Sequence, residues 1–242
     1  VPLSSPRFLV SLATYNEREN LAPLLQEIQQ ALPAADVLVV DDNSPDGTGR
    51  IADDLAAADP RIHVLHRPGK LGLGTAVLTA MRYAMEHDFD YLLNMDADFS
   101  HHPRYLAALT AGMDRYDVMI GSRYVPGGGT ENWPLSRRLL SAAVNALTRL
   151  LMRVGAHDCS GAFRCYRVAK LREAHLERVI SRGYSFQEEM LYRCRKAGCR
   201  IGETPIIFAD RRGGVSKVNS REAVRSLGVL LYLGTMAFFG ID

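Results

Sequence analysis

The residues of this 242-residue chain best suited to chemistry sit at the ends of short apolar runs. Asn94-Met95-Asp96-Ala97-Asp98 closes one of them. Side chains alternate along an extended strand with a period of two, so a strand carried through this segment points Asp96 and Asp98 to one side. Two carboxylates that close repel each other, and a hard divalent cation relieves the repulsion. Mg²⁺ and Mn²⁺ take oxygen ligands, and Mg²⁺ typically uses one or two carboxylates completed by substrate phosphates. Alone, the triplet equally fits a turn with two solvated aspartates. It has company in Val39-Val40-Asp41-Asp42-Asn43-Ser44-Pro45-Asp46-Gly47-Thr48, a second acidic strand end running into a helix start. Carboxylates there can accept hydrogen bonds from a nucleobase or ribose, while Asp46 or Thr48 can simply cap the helix. Arg67-Pro68-Gly69-Lys70-Leu71-Gly72-Leu73-Gly74 opens a third helix. It lacks the third glycine of a dinucleotide fingerprint and is not a GxxxxGK[ST] loop, which counts against NAD-dependent dehydrogenases and P-loop NTPases.

The elements that must position these residues alternate in type. Residues 8–13, 37–40, 62–65, 91–95 and 118–120 are short, β-branched or aromatic-rich runs bounded by turn residues. Between them, Leu21, Leu24, Leu25, Ile28 and Leu32 recur at helical spacing, as do Val77, Leu78, Met81 and Met85. Strand-helix-strand repetition predicts an α/β fold, a mainly parallel central sheet flanked by helices, with ligands beyond the C-terminal strand ends. The polar motifs fall at those ends. After Pro126-Gly127-Gly128-Gly129 the pattern changes to a helix over 135–154, a strand over 161–167, a helix over 186–196 and a strand over 201–208. No repeat or long linker interrupts the chain. The expectation is one catalytic domain over 1–242, with 211–242 as a C-terminal extension that touches the membrane.

A net charge of +2 does not argue for nucleic acid, and none is expected as a partner. The arginines are uneven, however: Arg137, Arg138, Arg149, Arg153, Arg164 and Arg167 crowd the middle and Arg211, Arg212, Lys217, Arg221 and Arg225 the end. That asymmetry suits an anionic partner such as a phosphate or an anionic membrane surface. Cys159, Cys165, Cys194 and Cys199 form no CxxC pair, so unpaired thiols in a cytosolic protein are expected rather than structural zinc. No charged region followed by an apolar run marks a secretory signal. Residues 227–241 carry no charge but fall short of the roughly 20 apolar residues that span a bilayer, which leaves a buried core helix or an interfacial segment.

Read together, Ala13-Thr14-Tyr15-Asn16-Glu17, VVDDNSPDGT, KLGLG, MDADFSHHP, GSRY, DCSGAFRCY, GYSFQEEM and DRRGGVSK follow one another as in the dolichol-phosphate mannose synthases. The chain resembles that group of GT-A glycosyltransferases of family 2 from about residue 8 to residue 217. The resemblance implies transfer of mannose from GDP-mannose to a polyprenyl (dolichyl-type) monophosphate with inversion at the anomeric carbon. It implies nucleotide binding by Ala13, Tyr15, Glu17, Asp41, Asp42, Lys70, Asp96 and Ala97. Asp96 and Asp98 become the site of a divalent cation, Mg²⁺ or Mn²⁺, and of the diphosphate, with Ser100 as a weaker third ligand and His101 as its substitute. Arg123 and Arg137 would act with Asp98 in catalysis and hold phosphates, joined on the acceptor side by Gln187, Glu189, Arg211 and Lys217. One departure stands out: alanine rather than the usual proline precedes Thr14.

A sugar hydroxyl acceptor would need a general base, whereas a phosphate monoester is already anionic at neutral pH. An arginine-rich site without an evident base therefore fits a lipid-phosphate acceptor. A peripheral position on the cytoplasmic face of a membrane follows, held by the 135–154 helix and the apolar C-terminus or by an accessory membrane subunit. Two alternatives stay open: the same fold with another donor such as UDP-glucose, and a non-catalytic nucleotide-sugar binding module.

Overall fold

The computed structural model describes residues 5–183, 185–210 and 220–239. In chain order the elements are β1 (Phe8–Thr14), α1 (Arg18–Ala31), β2 (Asp36–Asp41), α2 (Thr48–Ala58), β3 (Ile62–His66), α3 (Leu73–Glu86), β4 (Tyr91–Asp96), α4 (Leu106–Ala111) and β5 (Val118–Ser122). They continue with β6 (Gly129–Thr130), α5 (Leu135–Met152), β7 (Arg164–Arg167), α6 (Val168–Glu173), α7 (Phe186–Lys196), β8 (Ile201–Pro205), β9 (Ile207–Phe208) and α8 (Ser220–Phe239).

Seven strands form one sheet in the order β3-β2-β1-β4-β7-β5-β8, and β6 pairs with β9 separately. Every pairing in the large sheet is parallel except those of β7, which runs antiparallel to both β4 and β5. The mainly parallel α/β sheet is thus as expected, with one reversed strand inserted at its middle.

Apolar side chains leave both faces of the sheet because its strands are covered twice. Leu9, Leu38, Val40, Leu92 and Ile120 pack one way, against Val77 and Met81 of α3 and Met190 and Leu191 of α7. Their neighbours Val10, Val37, Val39, Leu93 and Met119 pack the other way, with Leu21, Leu25 and Ile28 of α1 and Leu106 and Leu109 of α4. Period-two alternation along the strands accounts for the split. The apolar C-terminal run forms most of α8, whose Leu230 and Leu233 are buried while Leu231, Phe238 and Phe239 are exposed. Gly234 of α8 lies against Leu151 of α5, so close that an added Cβ would sit 3.0 Å from the leucine Cβ. Among the described residues no helix is long and apolar enough to cross a membrane.

Candidate active site at the strand ends

Register brings the motifs together. Thr14 of β1 lies opposite Asp41 of β2, Asp41 opposite His66 of β3, and Ala13 opposite Asp96 of β4. The C-terminal edge of four adjacent parallel strands therefore carries the acidic residues at one level, where open α/β sheets bind ligands.

On the β1–β3 side the acidic pair is held by its own neighbours. Asp41 accepts hydrogen bonds from the Thr14 hydroxyl at 2.9 Å, the Ser44 hydroxyl at 2.6 Å and the Ser44 amide at 2.9 Å. Asp42 is buried in an ion pair with Arg67, which also donates to the Thr75 hydroxyl at 2.7 Å. Arg67 thereby ties the second strand end to the start of α3. Tyr15 lies under the Lys70 ammonium, 4.4 Å from ring centre to nitrogen, a cation–π contact at the mouth of the same edge. Glu17 accepts from the Asn20 side chain at 2.8 Å, and its amide donates to Thr48 at 2.9 Å.

The Asp96-Ala97-Asp98 segment is built differently from the extended strand expected. β4 ends at Asp96, so alternation does not carry to Asp98. The chain bends instead, and Phe99 adopts φ +64°, a left-handed conformation that costs a bulky residue strain. Asp98 is buried, and its carboxylate accepts from both the amide and the hydroxyl of Ser100. Ser100 thus braces Asp98 through its hydroxyl. His101 is buried behind the segment rather than exposed. Its Nδ1 accepts the Asp96 amide at 3.1 Å, its ring stacks on Phe163 with centroids 5.0 Å apart, and Phe208 meets it edge-on. Burial holds its pKa below the ordinary histidine value against the pull of Asp96 and Asp98, which keeps the ring neutral and Nδ1 an acceptor. Only the Asp96 side chain is substantially accessible, at 28%.

The two described arginines expected at the phosphates sit in different surroundings. Arg123 is nearly buried and grips Asp158 in a two-point pair at 2.7 Å and 2.7 Å, with a further bond to Ser160 at 2.9 Å. Burial disfavours the charge on each partner, yet the pairing holds Asp158 below its ordinary pKa and Arg123 above its own. This guanidinium fastens the DCSG segment to the end of β5. Arg137 is the accessible one, stacked 3.9 Å from the Trp133 ring centroid and 3.3 Å from Asp210 at the end of β9. Glu189 is also turned inward: its carboxylate accepts the amides of Ile180 and Ser181 and pairs with Arg193 at 2.7 Å. It organises a turn inside the fold. Gln187 is buried, and neither atom of its side-chain amide has a hydrogen-bond partner among the described residues, while its carbonyl accepts from Arg164 at 2.7 Å. Arg211 and Lys217 lie outside the described residues.

Sequence reasoning passed over Arg67, Asp158, Arg164 and Glu188. Arg164, in β7, is fully buried and donates to the carbonyls of Cys159 and Gln187. Glu188 is buried beside it, and burial pushes its carboxyl up to about 7. The one available signal was position: DCSGAFRC and FQEEM carry charges inside otherwise core-forming segments.

Residues 10–174 match the family described as Glycosyl transferase family 2, and the chain belongs to that family. It is 46% identical to "Polyprenol monophosphomannose synthase" of Mycolicibacterium smegmatis over 90% of this chain and 84% of that protein. It is 45% identical to "Undecaprenyl-phosphate mannosyltransferase" of Micrococcus luteus, over 88% of each. In fold it is similar to glucosyl-3-phosphoglycerate synthase from Mycobacterium tuberculosis, with a TM-score of 0.68 at 14% identity, over 96% of this chain and 81% of that one. The mannosyltransferase PcManGT from Pyrobaculum calidifontis, solved in complex with GDP-Man and Mn2+, superposes with a TM-score of 0.60 at 16% identity, over 98% of this chain and 71% of that one. The architecture is the GT-A fold.

Proposed function

We propose that this chain is an inverting mannosyltransferase that moves mannose from GDP-mannose to a polyprenyl monophosphate. The observation that carries this reading is the 46% identity, over nearly the whole chain, to a protein named for making a polyprenol monophosphomannose. The site chemistry agrees with it. A phosphate oxygen of the acceptor attacks the anomeric carbon as the bond from that carbon to the diphosphate oxygen breaks, and GDP departs with the bonding pair. No proton must be removed from the nucleophile, so the reaction asks for charge compensation and alignment more than for a base. In-line attack opposite the leaving group inverts the anomeric carbon.

The donor nucleoside would lie along the β1–β3 edge, with Tyr15, Lys70 and the Asp41-Asp42 turn around it. Asp96 and Asp98 would hold a divalent cation. The donor set fits a hard ion, since both residues offer carboxylate oxygens. When bound, the cation would neutralise the leaving diphosphate. Ser100 and His101 keep the two carboxylates in place by binding Asp98 and the Asp96 amide. Arg137, at the accessible start of α5, is the guanidinium best placed to meet an incoming phosphate, and Arg123 acts one step removed by fixing the segment around Ser160.

A lipid acceptor also explains the apolar surface. Leu135, Leu139, Leu140 and Leu150 of α5 and Leu227, Leu231, Phe238 and Phe239 of α8 are exposed. These two helices pack together, so their leucines and phenylalanines would enter the headgroup layer of the cytoplasmic leaflet, with or without an accessory membrane subunit. The test is a transfer assay crossing GDP-mannose, UDP-glucose and UDP-GlcNAc with a short polyprenyl phosphate. Lipid-linked mannose from GDP-mannose alone supports the reading, and preferential transfer from a UDP-sugar overturns it.

A further inference from the structure

Helix α7 ends in a two-bond cap. The Cys199 amide donates to the Cys194 carbonyl at 3.0 Å, enclosing a second bond from the Gly198 amide to the Arg195 carbonyl at 3.0 Å. Gly198 turns left-handed at φ +70°, which glycine does without steric cost. This is the Schellman arrangement, in which the side chain just past the glycine folds back onto the one that begins the last helical turn. An apolar contact ordinarily fills that place. Here both positions are cysteines. Cys194 is buried against the core and Cys199 is partly exposed at the rim. Cys199 packs against the core cluster to which Cys194 belongs. The remaining cysteines, Cys159 and Cys165, are buried, and burial pushes the Cys159 thiol up to about 12.

We propose that Cys194 and Cys199 are a redox modification site that closes reversibly to an intramolecular disulfide by exchange with a low-molecular-weight disulfide such as glutathione disulfide. The inference is independent of the substrate assignment. Cys199 is the entry point, because it is the more exposed and because the neighbouring Cys194 side chain holds its pKa below the ordinary thiol value. Its thiolate, having lost its proton to water, attacks one sulfur of the reagent and expels the first thiolate. Cys194 then loses its proton, attacks the Cys199 sulfur, breaks the mixed disulfide and expels the second thiolate. The two expelled thiolates take up the two protons. Two protein thiols are oxidised and one reagent disulfide is reduced to two thiols.

The full chain, equilibrated in glutathione buffers of rising oxidised fraction, quenched in acid and alkylated, is read by intact and peptide mass spectrometry. The expected result is loss of two hydrogens, mapped to a Cys194–Cys199 bridge and reversed by dithiothreitol. Cys199→Ser should abolish the bridge, and Cys194→Ala should leave a stable glutathione adduct on Cys199. Wild-type protein decides the question even if a core variant folds poorly. A wild-type chain that keeps glutathione on Cys199 without closing, or whose bridge maps to Cys159 or Cys165, overturns the proposal, as does a thiol pair that stays reduced in the fully oxidised buffer.

Discussion

At the residue scale the site depends on Asp98 more than its exposure suggests. It is buried and braced by Ser100, and the turn that delivers it carries backbone strain at Phe99. Asp98→Asn keeps the shape and an acceptor oxygen for Ser100 but removes the charge. Transfer should fall by about 10²–10³-fold, the scale of losing one preorganised electrostatic contact in a transition state, with little change in thermal stability. Steady-state rates at saturating Mg²⁺ or Mn²⁺ check this, and near wild-type turnover would remove Asp98 from the cation site. Glu188 makes a separate, pH-dependent contribution. Its folded pKa of about 7 lies above the ordinary 4.5, so the folded state holds the proton more tightly than the unfolded state. Stability is then greatest at and below about pH 4.5, falls as pH rises through 7, and levels off above. The fall attributable to this one group is about 3 kcal/mol. Glu188→Gln should flatten that part of the profile and stabilise the protein at pH 8, as measured by urea unfolding at pH 5 and pH 8. An unchanged slope would mean that Glu188 ionises freely in the fold.

At the scale of elements, the strands were legible because their periodicity is strong. Residues 8–13, 37–40, 62–65, 91–95 and 118–120 all became strands, each starting within one residue of its expected first position and running one or two residues further at its end. Helix α7 begins and ends where its sequence pattern does. The direction of β7 was not legible, since a short run such as Arg164–Arg167 says nothing about its partners. Nor were the pairings of buried charges. Arg123 and Asp158 are 35 residues apart, and only the tertiary fold makes them a pair. Glu189 reads locally as an acid suited to a helix N-terminus, yet its partners come from the preceding turn and the next helical turn. Helix α5 poses the opposite case, because Leu135, Leu139, Leu140 and Leu150 remain exposed. Leu139→Glu combined with Leu140→Glu should reduce flotation with anionic vesicles at low salt by at least about tenfold, while leaving the fold intact, because both side chains are exposed. Equal flotation of variant and wild type would take this face away from the membrane.

For the whole molecule, the sheet order explains why one edge serves as the site. Three parallel crossovers bring β3, β2, β1 and β4 side by side with their C-terminal ends level, and the reversed β7 begins beside Asn94 near that edge and runs away from it to Tyr91. Helices α5 and α8 then pack as a pair that leaves several leucines and phenylalanines exposed. Under the proposed function a soluble nucleotide sugar and a membrane-held acceptor would meet at this edge. The most direct test uses the purified chain, GDP-mannose and a polyprenyl monophosphate, with polyprenol as the competing acceptor, with and without a chelator. The expected result is a mannosyl phospholipid of inverted anomeric configuration, formed only with divalent cation present and only from the monophosphate. A product of retained configuration, transfer to the free alcohol, or undiminished transfer in excess chelator would contradict it.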